Sequence, residues 1–243
     1  AASDVYKRQA EKAGRVPVGE VLVPDLRRTD LMPSSPTFNT TAGVAVASAT
    51  GLAVFGPLIG LSTAWIALGL GGALLGLTVD AAQFNGMGGH LLAESLPGGR
   101  NRLRRVAFHE AGHWLVAQEE NLEVKRVLVG TRGCLQAGLR CNGVTEFSLP
   151  DRARLSLEDL RRWSRVLQAG MAAETLLEGP TQGGEDDKAL LGRIWGVSGQ
   201  DVDTAQREQR RARREVEQLL RSRRTEIESI ANRLLDGMPP EPE

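Results

Sequence analysis

The sequence has few of the side chains from which metal sites are built. Its 243 residues include three histidines and two cysteines, whereas a structural zinc site commonly takes four ligands from these two residue types. Cys134 and Cys141 lie seven residues apart and lack the paired CxxC spacing, which argues against a structural zinc module. Two free thiols are expected, with a disulfide across a tight turn as the alternative.

A phosphate-binding loop is also absent from these residues. No GxxxxGK[ST] motif occurs, and the glycine-rich run LGLGGALLGL lacks the lysine that would contact the β- and γ-phosphates of a nucleotide. We interpret this run as membrane or packing sequence. Any use of ATP would therefore have to come from a partner subunit.

The balance of charge argues against nucleic-acid binding. The chain contains 30 basic and 30 acidic side chains. Its most basic run, QREQRRARREVEQLLRSRRTEIESI, interleaves glutamates with arginines at spacings that allow i,i+4 pairs along a helix, and it contains no aromatic residue. We expect a solvated helix here, and no nucleic acid among the partners.

One long segment carries no charge at all. From Leu31 through Val79 the chain has no Asp, Glu, Lys or Arg. Residues 42–83 are expected to form a transmembrane segment of one or two helices, with one span predicted from Leu58 to Val79. A buried hairpin rich in glycine and alanine, in a soluble protein, is the alternative. Residues 1–41 are interpreted as a polar N-terminal segment or linker.

The motif HEAGH, which begins at His109, lies in the apolar helical run VAFHEAGHWLVAQ. Side chains four residues apart lie on one face of a helix, so His109 and His113 can bind the same metal ion. Zinc with three protein ligands keeps a position open for water, and Glu110 is the candidate general base that takes a proton from it. The alternative is a chance match in which both histidines are ordinary surface or core residues.

The third zinc ligand is expected to be a carboxylate. The residues after the motif read WLVAQEE and add no histidine, and His90 is assigned to the membrane flank or a linker. The downstream candidates are Glu174 and the acidic cluster Glu185, Asp186 and Asp187. Residue types leave the choice open, because an acidic cluster at a helix start can serve only as a cap.

A helix is predicted between Ser156 and the Gly-Pro pair that starts at Gly179. Apolar residues recur at helical spacing, and Ser156 precedes Asp159 as in a weak capping box. This helix is expected to cross the HEAGH helix and to deliver the loop that follows it to the metal. Glu174, near its end, is a candidate hydrogen-bond partner for a ligating histidine.

Taken in order, these motifs resemble the peptidase domain of the FtsH family of membrane-bound zinc proteases. HEAGH is intact, and the runs VKRVLVG and GVTEFSL can form that family's β-hairpin. AGMAAE stands where the family has AGRxAE, and TQGGEDD follows as its Thr/Gly-rich loop. The resemblance covers roughly residues 100–236. HEAGH together with a correctly spaced GGxDD is a specific combination.

The resemblance implies a mainly helical, zincin-like α+β peptidase domain with a small β-hairpin or sheet. That domain would cover residues 91–236, preceded by the membrane segment and followed by a tail at 237–243. The resemblance also points to Asp187 as the third Zn²⁺ ligand, with Asp186 as the reserve assignment.

The expected activity is that of a membrane-anchored zinc metalloendopeptidase acting on unfolded polypeptides or membrane proteins. The expected membrane is that of a plastid, thylakoid or envelope, if the source is photosynthetic, and otherwise the bacterial inner membrane. An exposed strand beside the zinc can pair with an extended substrate, and Val124–Val129 is the candidate. An interior strand without that role is the alternative.

Two departures from the family leave a different function open, although the intact HEAGH argues against it. Met171 stands where the family has arginine, and the ATPase module is missing. The alternative is a non-proteolytic auxiliary subunit that assembles with ATPase-bearing FtsH-type partners. A homo-oligomer is the other assembly that the resemblance allows.

Overall fold

The computed structural model of the protein describes residues 37–84, 86–148, 154–181 and 183–241. Residues 1–36, most of the predicted polar N-terminal segment, lie outside the described residues. The described part is mainly helical with one antiparallel pair of strands, as predicted. Its elements are α1 (Thr37–Phe55), α2 (Thr63–Gln83), α3 (Met87–Ser95), α4 (Gly99–Glu119), β1 (Val124–Val129), α5 (Thr131–Gln136), β2 (Gly143–Phe147), α6 (Leu157–Leu177), α7 (Glu185–Val197), α8 (Val202–Ser222) and α9 (Arg224–Leu235).

The apolar N-terminal segment is broken between α1 and α2. A 3-10 turn covers Pro57–Ile59, and Gly60 follows it with a φ of +81°. The side chain of Ser62 then caps α2 by accepting a hydrogen bond from the backbone N–H of Trp65. The predicted span from Leu58 to Val79 is therefore wrong at its start, because a left-handed glycine and a capping serine interrupt the helix there.

Within the described residues, α2 is the one helix whose length and composition would allow it to cross a membrane. It has 21 residues, and most of its apolar side chains are exposed, with Ile66 as a buried exception. Leu74 and Leu75, near its middle, are 68% and 65% exposed. The apolar stretch Val46–Phe55 of α1 is shorter. Helix α2 is therefore not part of a buried hairpin, which was the alternative for this segment.

The main hydrophobic core lies between α4, α6, α8 and α9. Helix α4 packs against α6 and α9, and α6 also packs against α8. At Gly112, helices α4 and α6 approach so closely that a Cβ would lie 2.7 Å from the backbone oxygen of Ala169. A larger residue at position 112 would push apart the helix that bears HEAGH and the helix that covers it. Gly112 therefore allows α6 to lie directly over the two histidines.

Strands β1 and β2 form a two-stranded sheet beside α4. The register pairs Val127 with Thr145, and an irregularity follows Val124. The connection between the strands contains the short helix α5 rather than a simple turn. Cys134 and Cys141, both in this connection, are free thiols as expected.

A second hydrophobic cluster fixes α7 against α6. Side chains of both helices form it, and they include Leu160, Trp163, Leu167, Leu191 and Trp195. The indole N–H of Trp195 donates a 2.8 Å hydrogen bond to the buried hydroxyl of Ser164. A buried directional bond of this kind fixes the rotation of α7 as well as its position. The acidic cluster in the first turn of α7 is thereby held in one orientation.

The arginine-rich run forms most of α8 and the first half of α9, and several of its charges are paired at i,i+4 spacing as predicted. Arg211 and Glu215 lie 2.7 Å apart, and Arg213 and Glu217 lie 2.8 Å apart, each at i,i+4 spacing. Such exposed pairs contribute little stability, but they reduce the positive potential of the helix surface.

Candidate metal centre

The two histidines of HEAGH direct the same ring nitrogen to one point. His109 and His113 lie one turn apart on α4, and their Nε2 atoms are 3.0 Å apart. The side chains are 12% and 4% exposed. The i,i+4 spacing thus brings the two imidazoles together as the sequence predicts, and α6 shields them from solvent.

Asp187 completes a group of three donors. Its Oδ2 atom lies 3.0 Å from Nε2 of His109 and 3.3 Å from Nε2 of His113. The donor atoms of these three residues all lie within 4.8 Å of one another. Asp187 occupies the first turn of α7, which follows Gly184 in a left-handed conformation with a φ of +86°. The geometry therefore forms a candidate metal site from His109, His113 and Asp187.

The other sequence candidates for the metal site lie elsewhere. Glu185 pairs with Lys188 at 2.7 Å on the surface. Asp186 is adjacent to the site in sequence, but among the described residues it is not part of the group of donors. His90 lies on α3, also outside the group, as expected.

Hydrogen bonds to Nδ1 fix the tautomers of both histidines. Nδ1 of His109 donates to Oε1 of Glu174 at 2.7 Å. Nδ1 of His113 donates to the backbone carbonyl of Val166 at 2.8 Å. A backbone carbonyl can only accept, so a neutral His113 ring carries its proton on Nδ1. The carboxylate of Glu174 favours the same tautomer for His109, in which both Nε2 atoms are directed toward the candidate metal position. Two imidazoles and one carboxylate are a donor set that some catalytic zinc sites use.

The charges of the three donors suit a bound cation. Burial acts to lower the pKa of both imidazoles, but hydrogen bonding to and attraction by Asp187 outweigh it and raise both values. Burial also acts to raise the pKa of Asp187, and the adjacent histidines nevertheless hold this pKa far below its usual range. The carboxylate is thus ionised, and a bound cation would take the place of the protons that it attracts to the two rings, because a metal ion binds the neutral form of imidazole.

Glu110 lies beside the donor group without belonging to it. Its carboxylate is 6% exposed, and burial raises the pKa of Glu110 above the ordinary value. The hydroxyl of Thr145 on β2 donates a 2.7 Å hydrogen bond to Oε2 of Glu110. Thr145 could not be recognised from the sequence, because its role depends on the packing of β2 against α4. Glu146 follows it in the same strand, so a polar residue at this place gives no signal.

The absence of a side chain at Gly170 makes room for the site. Gly170 lies on α6, where a Cβ would be 2.6 Å from Nε2 of His113 and closer still to Nε2 of His109. A methyl group at this position would occupy the space in front of both donor nitrogens. Gly170 matches the glycine of the AGRxAE pattern, but the sequence does not show which atoms it faces.

We expect Gly170→Ala to weaken zinc binding by more than about 10-fold, the lower end of the effect of groups that only orient a ligand. The matched control is Gly196→Ala on α7, because a Cβ there meets nothing within 4 Å. Both changes improve helix propensity by roughly 1 kcal/mol, so they differ in steric effect alone. Zinc affinity is measured by competition with a chromophoric chelator. Equal affinities for the two variants would show that Gly170 does not determine access to the donors.

Met171 packs against the glycine that precedes the acidic cluster. A Cβ at Gly184 would lie 2.7 Å from the sulfur of Met171. The methionine, at the position where the resembled family has arginine, therefore forms an apolar contact with the loop that delivers Asp187. A close approach of this kind needs glycine at position 184, whose positive φ favours the same residue.

No protein-family model matches this chain, and no curated protein matches it. The site combines two imidazoles whose Nε2 atoms converge, one ionised carboxylate and one buried glutamate outside the donor set.

Proposed function

We propose that the protein is a membrane-anchored zinc metalloendopeptidase of FtsH-like type; these 243 residues contain no phosphate-binding loop. The observation that supports this most is the convergence of Nε2 of His109, Nε2 of His113 and Oδ2 of Asp187, with Glu110 one residue from the first ligand. This is a three-ligand set, and a glutamate that is not a ligand lies beside it. Three protein ligands are typical of catalytic zinc, whereas structural zinc commonly has four.

In this proposal each residue has one task. Zinc, when bound, acts as a Lewis acid and lowers the pKa of a water molecule to about 7. His109, His113 and Asp187 hold the ion, and Glu174 and the Val166 carbonyl fix the two rings. Glu110 accepts the proton of the attacking water and passes it to the leaving amine. The hydrogen bond from Thr145 restricts the Glu110 carboxylate to one rotamer during this transfer.

The sheet supports a site for extended polypeptide. Of the two strands, β2 contacts the catalytic residues, through Thr145 to Glu110 and through Phe147, whose ring lies 6.2 Å from that of His113. A strand edge can bind substrate through main-chain hydrogen bonds with little dependence on sequence. We therefore propose β2 as the edge that pairs with substrate, in place of the predicted Val124–Val129. The substrates are unfolded or extended segments, because only these can supply a free strand.

Helix α2 is proposed as the membrane anchor. We expect the full chain to stay with membranes during alkaline extraction, and Leu74→Arg with Leu75→Arg to release it. Each arginine near the middle of a span costs about 2.5 to 3.5 kcal/mol of insertion free energy. The control is Gln83→Arg, in which the cation lies at the end of α2 and can reach water. Release of the wild type, or retention of the double variant, would contradict an anchoring role for α2.

The activity is tested on the purified full chain in detergent. Casein, which is largely unfolded, is compared with a stably folded protein of similar size. We expect cleavage of casein alone, loss of cleavage with a zinc chelator, and recovery when zinc is added back. Cleavage that persists after zinc is removed would rule out a zinc-dependent mechanism.

Because these 243 residues contain no phosphate-binding loop, one alternative function remains. The protein would then be an auxiliary subunit of an ATPase-bearing protease. The alternative predicts bound zinc without cleavage of casein, even when such a partner is present. Cleavage by the isolated chain would exclude it.

A further inference from the structure

Arg105 contacts the end of α6 and the start of the connection that leads to Asp187. It lies on α4, one turn before His109. One terminal nitrogen of its guanidinium donates to the backbone carbonyl of Pro180 at 2.8 Å, and the other donates to that of Glu178 at 2.9 Å. The first nitrogen also lies 3.7 Å from Oε2 of Glu174. The Arg105 side chain is only 21% exposed, so these interactions are partly shielded from water.

These contacts fix the end of α6 and the start of the connection to α7. Glu178 is the C-cap of α6, where backbone carbonyls lack helical partners and the helix dipole favours a cation. Pro180 follows the left-handed Gly179. Asp187 is reached only seven residues beyond Pro180. A shift of this connection would therefore move the carboxylate that faces both histidines.

The contact with Glu174 reaches the same site by a second route. Glu174 accepts the hydrogen bond from Nδ1 of His109, and its other carboxylate oxygen faces Arg105. The contact with the guanidinium thus helps to hold the Glu174 carboxylate in its orientation toward His109. One arginine on the HEAGH helix is coupled to the orientation of the first histidine and to the placement of the aspartate.

We propose that Arg105 is a positioning residue of the metal site: it holds Asp187 and Glu174 in register with the HEAGH helix. This inference rests on the proposed zinc function. A lysine cannot take over the role fully, because its single ammonium group cannot reproduce two donors held in the fixed geometry of a guanidinium. Arg105 touches neither donor nitrogen of the histidines, so it acts only through the residues that it holds.

The neighbouring residue provides a matched control. Arg104 also pairs with Glu178, through a side-chain contact of 3.1 Å between Nε and Oε1. Its side chain is 56% exposed and it contacts none of the metal-site residues named above. Exposed pairs of this kind contribute little. Arg104→Ala removes the same charge from the same helix turn without releasing the carbonyls of Glu178 and Pro180.

The test is the zinc affinity of the full chain, measured by chelator competition together with the unfolding midpoint of the zinc-free protein. We expect Arg105→Ala to weaken zinc binding by about 10- to 100-fold, the range found for groups that orient metal ligands. Arg105→Lys should recover part of this loss, and Arg104→Ala should bind as the wild type does. If Arg105→Ala does not fold, the zinc affinity of Arg105→Lys is compared with that of the wild type instead.

A second measurement separates positioning from general stability. In an Asp187→Asn background, with a weaker competing chelator, Arg105→Ala should cause much less further loss of affinity, because the ligand that it places is already gone. An undiminished further loss would indicate a general structural effect and overturn the proposal. If the wild type binds zinc and Arg105→Ala binds it with the same affinity, the positioning role of Arg105 is wrong, and the proposed zinc function is unaffected. Absence of zinc from the wild type would overturn the proposed function as well.

Discussion

Replacing Glu110 with glutamine is expected to leave zinc bound and to reduce the rate of peptide cleavage by about 100- to 10,000-fold, the usual contribution of a general base. The substitution keeps the size of the side chain and can retain a hydrogen bond with Thr145, which now donates to an amide oxygen. It removes the only group beside the donor set that is proposed to accept a proton. The measurement is kcat on an unfolded substrate, with zinc content determined on the same preparation.

The control for this variant is Glu208→Gln, the same chemical change on α8. Glu208 pairs with Arg161 at 2.8 Å and lies outside both the donor group and β2. We expect Glu208→Gln to retain activity. Undiminished turnover in Glu110→Gln would remove Glu110 from the mechanism, and loss of zinc would mean that its role is structural.

Asp187→Asn is expected to weaken zinc binding by more than about 100-fold, because groups that only orient a ligand are each worth roughly 10- to 100-fold. The carboxylate is the one anionic member of the donor set, and it contacts both imidazoles. Asparagine has nearly the same shape but no charge, so the cation loses its counter-charge in a buried site. Affinity is measured by competition against chelators of graded strength.

Asp186→Asn provides the comparison for this prediction. It removes an identical charge from the adjacent position in the same helix turn, so any effect of the α7 dipole is matched. Asp186 is outside the group of donors, and we expect the Asp186→Asn variant to bind zinc with nearly the affinity of the wild type. The reverse order of the two variants would transfer the ligand role to Asp186.

The part of the site that is local in sequence could be predicted from the sequence. His109, Glu110 and His113 lie within one helix, and helical periodicity alone places both histidines on one face. The cap at Ser156 and the end of the helix near Gly179 were predictable for the same reason, since turn and cap residues act on their immediate neighbours. The antiparallel hairpin agrees with the family resemblance.

The rest of the site depends on contacts between residues distant in the chain. Asp187 lies 78 residues from His109, and composition could not separate it from Asp186 or Glu174. The family resemblance made that choice, and the geometry agrees with it. Thr145 and Arg105 act on the site through long-range hydrogen bonds, and no local pattern distinguishes them from other polar residues. The membrane segment was predicted by its apolar composition, which gives no information on where its helices break.

The most direct test of the proposed site is the zinc K-edge absorption spectrum of the purified full chain. With His109, His113 and Asp187 as protein ligands, we expect only nitrogen and oxygen neighbours, at about 2.0 to 2.2 Å, with the signature of two imidazoles. The spectrum should lose its imidazole contribution in a variant that replaces both histidines. A neighbour at about 2.3 Å would instead identify sulfur from a cysteine thiolate and contradict the assignment.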